Sequence, residues 1–117
     1  MFKSKYTFEE REKEASRVLS KYPDRIPIIC ERNSRSRMED IDKNKYLVPN
    51  DLSAGQFIYV IRKRLRLPAE KAVFIFINGT IPPTSRTLLS LYQEHNDRDG
   101  FMYITYCEEN VFGNTIL

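Results

Sequence analysis

The chain has few of the features that secreted, membrane-spanning or metal-dependent proteins use. It holds two cysteines, Cys30 and Cys107, and neither has a second cysteine at CxxC spacing. We therefore interpret both as small buried strand residues rather than as nucleophiles or zinc ligands. No apolar run approaches the length of a membrane span, and the first five residues are too polar for a secretory signal. These absences favour a reduced cytosolic or nuclear protein.

Motifs of common enzymes are also missing. The sequence contains no glycine-rich phosphate loop and no paired-carboxylate motif. Its single histidine, His95, falls at the end of a predicted helix, where a capping or surface role is more common than catalysis. We expect no enzymatic activity, no metal site and no bound cofactor.

What the chain does have is the length and composition of one globular domain. Its 117 residues suffice for one buried core, and 30% charged with 41% hydrophobic residues argues against disorder. The net charge is only +3, but basic residues concentrate at 32–37, 43–45 and 62–66, and acidic residues at 9–14 and 94–109. This distribution favours acidic peptides or an anionic surface as partners, although each cluster also fits an ordinary solvated face.

Local signals predict an alternating order of helices and strands. Capping-box spacing at Thr7 and again at Ser53 marks two helix starts, and Asn78-Gly79 marks a tight turn. The predicted elements are a helix over 8–22, strands over 25–30 and 45–49, a helix between Ser53 and Pro68, a strand over 73–77, a short helix carrying Leu88, Leu89 and Tyr92, and a strand over 101–107. This order predicts an α+β fold, a ubiquitin-like β-grasp with an N-terminal helical extension and a four-stranded mixed sheet.

Several ordered motifs make the chain similar to a known family. They are KYLVP at 45–49, DL at 51–52, GQF at 55–57, IRKR at 61–64, IPPT at 81–84, LYQEH at 91–95 and FG at 112–113. With them the chain closely resembles the autophagy ubiquitin-like modifiers, which include GABA-A receptor-associated protein and the microtubule-associated protein light chain. KYPDR at 21–25 leans toward the receptor-associated branch. The resemblance covers essentially the whole chain.

The resemblance implies a tag that is trimmed and attached to lipid. A processing cysteine protease would cut between Gly113 and Asn114, with Phe112 anchoring the tail. Activating and conjugating enzymes would then carry the Gly113 carboxylate as a thioester to the amine of phosphatidylethanolamine. The protein would be cytoplasmic, and would lie on autophagosome and vacuole membranes after this covalent conjugation. We therefore expect an extension over 1–24 packed on the domain, a ubiquitin-like domain over 25–112, and a conjugation glycine with a removable tail over 113–117.

The resemblance also implies a docking face for cargo receptors that carry aromatic-x-x-aliphatic peptides with acidic flanks. The strand at 45–48 would be an exposed edge to which such a peptide adds as a further strand. The aromatic pocket would consist of Glu14, Val18, Pro27, Ile29, Lys45, Leu47 and Phe101. The aliphatic pocket would consist of Tyr46, Val48, Pro49, Leu52, Phe57, Val60 and Ile61. The acidic flanks would meet Arg25, Lys43, Lys45 and Arg64.

Residue pattern alone leaves alternatives open at this face. Alternation places Tyr46 and Val48 opposite to Lys45 and Leu47. Periodicity by itself also allows Leu47, Phe57, Val60 and Ile61 to be ordinary core residues.

A second docking patch is expected at Phe74 and Phe76 if both point outward from their strand. The alternative is that helices cover both faces of that strand.

Two further functions remain possible from the residues. The run Arg62, Lys63, Arg64 and Arg66 could bind RNA or an anionic surface, although we expect no nucleic-acid partner. An adaptor of the same fold that is never conjugated to lipid is the other.

Overall fold

The computed structural model describes residues 1–108, so the predictions for Phe112, Gly113 and residues 114–117 lie outside the described part. The helices are α1 (Phe2–Lys5), α2 (Phe8–Lys21), α3 (Ala54–Leu65) and α4 (Leu88–His95). The strands are β1 (Arg25–Arg32), β2 (Lys45–Pro49), β3 (Phe74–Phe76) and β4 (Met102–Cys107). β2 has the predicted bounds, whereas α1 was not predicted.

Both predicted capping boxes are confirmed. The Thr7 hydroxyl accepts the Glu10 N–H at 3.1 Å, and the Glu10 carboxylate accepts the Thr7 N–H at 2.8 Å. Ser53 and Gln56 make the same reciprocal pair at 3.1 and 2.8 Å. Each box satisfies two N–H groups that a helix start otherwise leaves unpaired. Two short sequence motifs therefore fix where α2 and α3 begin.

The sheet has the strand order β2-β1-β4-β3. β1 pairs antiparallel with β2 and parallel with β4, and β3 pairs antiparallel with β4. A parallel pair needs a long crossover, and here the chain supplies one through α3, β3 and α4. The predicted mixed four-stranded β-grasp sheet is confirmed.

The main core fills the face of the sheet against α3 and α4. Its buried residues are Ile26, Ile28, Cys30, Tyr46, Val48, Ala54, Phe57, Ile61, Val73, Ile75, Ile77, Leu88, Leu91, Met102, Ile104 and Tyr106. A smaller cluster lies between the N-terminal helices and the sheet and consists of Phe2, Ala15, Ile29 and Phe101, with Tyr103 against it. The Phe2 and Phe101 rings meet edge to face, with centroids 5.3 Å apart. Burial of Phe2 explains why a helix as short as α1 is held in place.

A buried ion pair fastens α2 to the loop before β4. Arg11 Nε lies 2.9 Å from Asp99 Oδ2, and the Asp99 side chain has no exposed surface. The Tyr103 hydroxyl donates to the same oxygen at 2.5 Å, and the Asp99 Oδ1 accepts the Phe101 N–H at 2.9 Å. A buried charge is tolerated only when it is paired and hydrogen-bonded in this way.

Gly100 allows α2 to approach this loop closely. Its φ is +98°, and a Cβ atom at this position would lie 2.8 Å from the Ala15 Cβ. Only glycine combines that backbone conformation with that contact.

We expect Arg11→Ala to lower the free energy of unfolding by about 3 kcal/mol, because it leaves the buried Asp99 carboxylate uncompensated. Arg17→Ala is the matched control, since Arg17 is exposed on the same helix, and should change it by less than about 0.5 kcal/mol. Urea unfolding measures both values. Amide exchange across Ala15 and Leu19 should accelerate in the Arg11 variant only; slow exchange there would contradict the role of the pair.

Candidate functional site

β2 is an edge strand, as the family resemblance implied. Its inner edge pairs with β1, and no other strand within residues 1–108 pairs with its outer edge. The predicted alternation is also confirmed, since Tyr46 and Val48 are buried in the main core while Lys45 is exposed and Leu47 is half-buried. The two faces of β2 therefore lead to two different surroundings.

The register of the β1–β2 pair shows which backbone groups face outward. Cys30 N–H donates to the Asn44 carbonyl, so alternate pairs along the ladder, Ile28 with Tyr46 and Ile26 with Val48, are the hydrogen-bonded ones. The N–H and C=O groups of Lys45 and Leu47 consequently point away from β1. They are the groups that a further strand would bind.

The expected aromatic pocket corresponds to a cavity of about 240 Å³ beside this edge. Its lining residues are Glu14, Val18, Pro27, Lys43, Lys45, Tyr46, Leu47 and Phe101. Six of the seven predicted residues are therefore brought together. The seventh, Ile29, does not line the cavity, because it is fully buried in the cluster beneath α2. The cavity is smaller than a typical small-molecule site and has the scale of a single side chain.

An ion pair spans the cavity from α2 to β2. Lys45 Nζ lies 2.6 Å from Glu14 Oε2, with side-chain exposures of 49% and 30%. A pair this exposed contributes at most about 1 kcal/mol. A ligand carrying a carboxylate can therefore compete for Lys45 at low cost.

The expected aliphatic pocket divides into core and surface. Phe57 and Ile61 have no exposed surface, which corrects their assignment to a peptide-contacting surface. Tyr46 and Val48 keep only 7% and 8% exposure, and the remaining three residues, Pro49, Leu52 and Val60, are exposed or half-buried. α3 and the sheet pack against each other through the buried residues, and this packing leaves only the last three with substantial surface.

Tyr46 carries a polar atom into the core without a partner. Its ring meets Phe57 edge to face at 5.5 Å, and Lys43 Nζ lies 5.0 Å from its ring centroid. Its hydroxyl is buried and makes no hydrogen bond within the described part of the chain. Burial raises the pKa of Tyr46 well above its usual value.

The four expected acidic-flank residues surround the same edge. Arg64 pairs with Asp42 at 2.8 Å, and Lys43 and Lys45 make the contacts described above. Arg25 donates to the outward-facing Leu47 carbonyl at 3.3 Å. Arg25 therefore covers one of the edge acceptors that an added strand would use, through a long and exposed hydrogen bond.

The expected second docking patch is wrong for one of its two residues. Phe76 is only 4% exposed, while Phe74 is half-buried. Alternation in β3 does place both on the face opposite to Ile75, and Phe76 pairs with Thr105 on the face that also carries Tyr103. Facing away from the main core therefore does not make Phe76 accessible.

The residues discounted for chemistry occupy structural positions. His95 Nδ1 lies 3.0 Å from Asn78 Nδ2, where it joins the end of α4 to the turn after β3. Both cysteines are buried, and burial raises the pKa of the Cys30 thiol above its ordinary range. Within residues 1–108, no group of three or more His, Cys, Asp or Glu side chains is arranged to hold a metal ion.

The basic run on α3 is partly used inside the molecule. The Arg62 guanidinium donates to the carbonyls of Pro68 and Lys71, where it closes the turn after α3. Arg64 pairs with Asp42. Two of the four basic side chains in this run, Arg62 and Arg64, are therefore engaged in contacts that hold neighbouring loops in place.

Comparison with known proteins decides the family. A sequence model described as "Autophagy protein Atg8 ubiquitin like" matches residues 10–113. The chain belongs to the Atg8 family. It is 57% identical over 116 residues to Autophagy-related protein 8 of Kluyveromyces lactis, covering 99% of this chain and 94% of that one. It is 56% identical over 112 residues to Autophagy-related protein 8 of Saccharomyces cerevisiae, covering 96% of each.

A solved structure of the Atg8 family has the same fold. The crystal structure of Trypanosoma brucei ATG8 superposes with a TM-score of 0.87 at 43% identity and covers 91% of both chains. The predicted family and fold are thus confirmed. All the predicted site residues, from Glu14 to Gly113, lie inside the matched region. Within residues 1–108, no helix has both the length and the apolar composition that crossing a membrane requires.

Tyr46→Phe should raise the free energy of unfolding by about 1 kcal/mol, because it removes a buried hydroxyl that has no partner. Tyr106→Phe is the matched control, since the Tyr106 hydroxyl donates to the Glu39 carbonyl at 2.6 Å. That variant should lose about 1 kcal/mol. Urea unfolding measures both, and a Tyr46→Phe protein less stable than wild type would show that the hydroxyl is satisfied.

Proposed function

We propose that this Atg8-family chain is a ubiquitin-like modifier of autophagy, with no catalytic activity of its own. In this proposal it is cut after Gly113, joined to phosphatidylethanolamine on autophagosomal membranes, and bound by cargo receptors through aromatic-x-x-aliphatic peptides. The single observation that best supports the receptor-binding part is the 240 Å³ cavity beside the open edge of β2.

The peptide spacing fits the geometry of this edge. Side chains separated by three positions on an extended strand point to opposite faces and lie about 10 Å apart along it. The cavity at Leu47 opens on one face of β2, whereas Leu52 and Val60 pack against the main core on the face that carries Tyr46 and Val48. A peptide that adds to β2 therefore directs its aromatic anchor to one and its aliphatic anchor to the other.

Backbone pairing would supply the common part of the affinity. The outward N–H and C=O groups of Lys45 and Leu47 are available to a strand once Arg25 leaves the Leu47 carbonyl. The freed Arg25 then carries its charge to the acidic flank, together with Lys43, Lys45 and Arg64. These exposed charges chiefly raise the association rate and fix the register.

The C-terminal chemistry consists of a cleavage followed by attachment to lipid. The processing cysteine protease hydrolyses the Gly113–Asn114 bond and releases residues 114–117. The activating enzyme then uses a nucleoside triphosphate to activate the Gly113 carboxylate, so that one of its oxygens leaves with the phosphate and a thioester forms, first on this enzyme and then on the conjugating enzyme. The amine of phosphatidylethanolamine displaces the thiol to form an amide. A two-chain lipid gives a stable membrane anchor, which moves the protein from the cytoplasm to autophagosome and vacuole membranes.

Glycine at position 113 suits both steps. It has no Cβ, so an extended tail that ends in it passes through a narrow enzyme channel. Phe112 would hold that tail in the enzyme by burying its ring.

Leu47→Ala should weaken binding of an aromatic-x-x-aliphatic peptide about tenfold, because it removes part of the cavity wall at a cost of about 1.4 kcal/mol. Tyr59→Ala is the control, since Tyr59 is 61% exposed on α3 outside the predicted pockets. Calorimetry at two salt concentrations measures both. Unchanged affinity in the Leu47 variant would remove the docking assignment. A complex with RNA that weakens steeply with salt would instead favour the basic-helix function.

Gly113→Ala should block cleavage or lipid transfer in cells while leaving the peptide affinity unchanged. The measurement is mass spectrometry of the protein recovered from membranes, which identifies the last residue and any attached lipid. Normal membrane recovery of a lipidated variant would contradict the assignment of Gly113. A wild-type protein that is always full-length and free of lipid would favour the unconjugated adaptor.

A further inference from the structure

The end of β4 is tied to the loop between β1 and β2 through Glu108. The Glu108 Oε1 accepts the Ser36 hydroxyl at 2.7 Å, and its Oε2 accepts the Arg37 N–H at 3.0 Å. The Cys107 thiol lies 3.2 Å from Oε1 and donates as well. The Ser36 hydroxyl above all, with the other donors, stabilises the charged carboxylate and lowers the pKa of Glu108 to about 2. The contact is therefore intact throughout the neutral range.

The loop that receives Glu108 is itself held firmly. Ser36 is 6% exposed, and its hydroxyl oxygen also accepts the Met38 N–H at 3.0 Å. The Ser36 carbonyl accepts the Arg32 guanidinium at 2.7 Å, and the Tyr106 hydroxyl donates to the Glu39 carbonyl at 2.6 Å. These bonds connect the loop to β1 and β4. Glu108 therefore binds a loop that is itself hydrogen-bonded to the sheet.

We propose that the Glu108–Ser36 contact positions the C-terminal segment for processing, by fixing the point at which the chain leaves the folded body. The inference rests on the proposed cleavage after Gly113. Gly113 lies five residues beyond Glu108, so a fully extended segment reaches at most about 18 Å. An enzyme that holds both the folded body and the segment therefore meets Gly113 within that distance of Glu108.

Loss of the contact changes what the protease must order. Without it, the loop no longer holds Glu108, so the position of this residue must be fixed anew in the enzyme complex. Ordering one residue corresponds to roughly a fivefold to thirtyfold change in an equilibrium constant. The penalty falls on binding, because the peptide bond at Gly113 and its chemistry are unchanged. KM should therefore rise while kcat is kept.

The test is cleavage of the full chain by the processing cysteine protease, followed by mass spectrometry of the released residues 114–117. Glu108→Ala and Ser36→Ala should each lower kcat/KM roughly fivefold to thirtyfold through KM. The double variant should be little worse than the more impaired single variant, because each single variant already removes the Glu108–Ser36 bond. Glu39→Ala is the matched control, since this exposed carboxylate in the same loop makes no side-chain hydrogen bond within residues 1–108, and it should be cut like wild type.

Other outcomes overturn the proposal. A defect in Glu108→Ala without one in Ser36→Ala would mean that Glu108 acts through another partner, either the Arg37 N–H or the protease itself. Wild-type rates in both would mean that the contact has no role in processing. Ser36→Thr keeps the hydroxyl and should be cut normally, so a defect there, or a loss of peptide affinity in any variant, would indicate a purely structural effect. A wild-type chain that is not cut after Gly113 would instead overturn the proposed function itself.

Discussion

The parallel pairing of β1 with β4 is the constraint on which the arrangement of this Atg8-family chain depends. β1 already carries β2 on its other side, so this pairing places β1 inside the sheet and leaves β2 and β3 as the two edges. It also places α3 and α4 on one face, while α2 closes the other. The candidate docking face is a consequence of this order, because only an edge strand keeps outward backbone groups.

The two edges differ in what they offer a partner. β3 has three residues, and a short strand is one of the ways in which proteins suppress unwanted pairing. β2 has five residues and a cavity on one face. Its edge is protected differently, since Arg25 covers the Leu47 carbonyl with a long, exposed hydrogen bond. Breaking this hydrogen bond costs little free energy, as reversible binding of a peptide at this edge would require.

Local sequence signals predicted the elements well, and non-local contacts account for what was missed. The Thr7 and Ser53 capping boxes and the bounds of β2 are encoded within a few residues each. α1 has no such signal, because Phe2 is held by rings that lie far along the chain. Likewise, the bond between Arg11 and Asp99 joins residues 88 positions apart, and no sequence motif indicates it.

Site residues assigned by resemblance lie together where they face a cavity, and are buried where packing decides. Six residues of the aromatic pocket come together, but Ile29, Phe57 and Ile61 are fully buried, as is nearly all of Phe76. Alternation indicates which face of a strand a side chain is on. It does not indicate whether a helix or another segment covers that face, and burial depends on this.

The cavity beside β2 is built jointly by the N-terminal helix and the sheet. Glu14 and Val18 come from α2, whereas Leu47 and Phe101 come from the sheet side. The buried Asp99 carboxylate fixes both walls, since one oxygen binds Arg11 of α2 and the other accepts the Phe101 N–H. The cavity therefore takes lining residues from both sides of the expected boundary at residue 24. This one carboxylate therefore ties the two walls of the cavity together, so under the proposed function the Arg11–Asp99 bond would contribute both to the stability of α2 on the domain and to the affinity for a peptide.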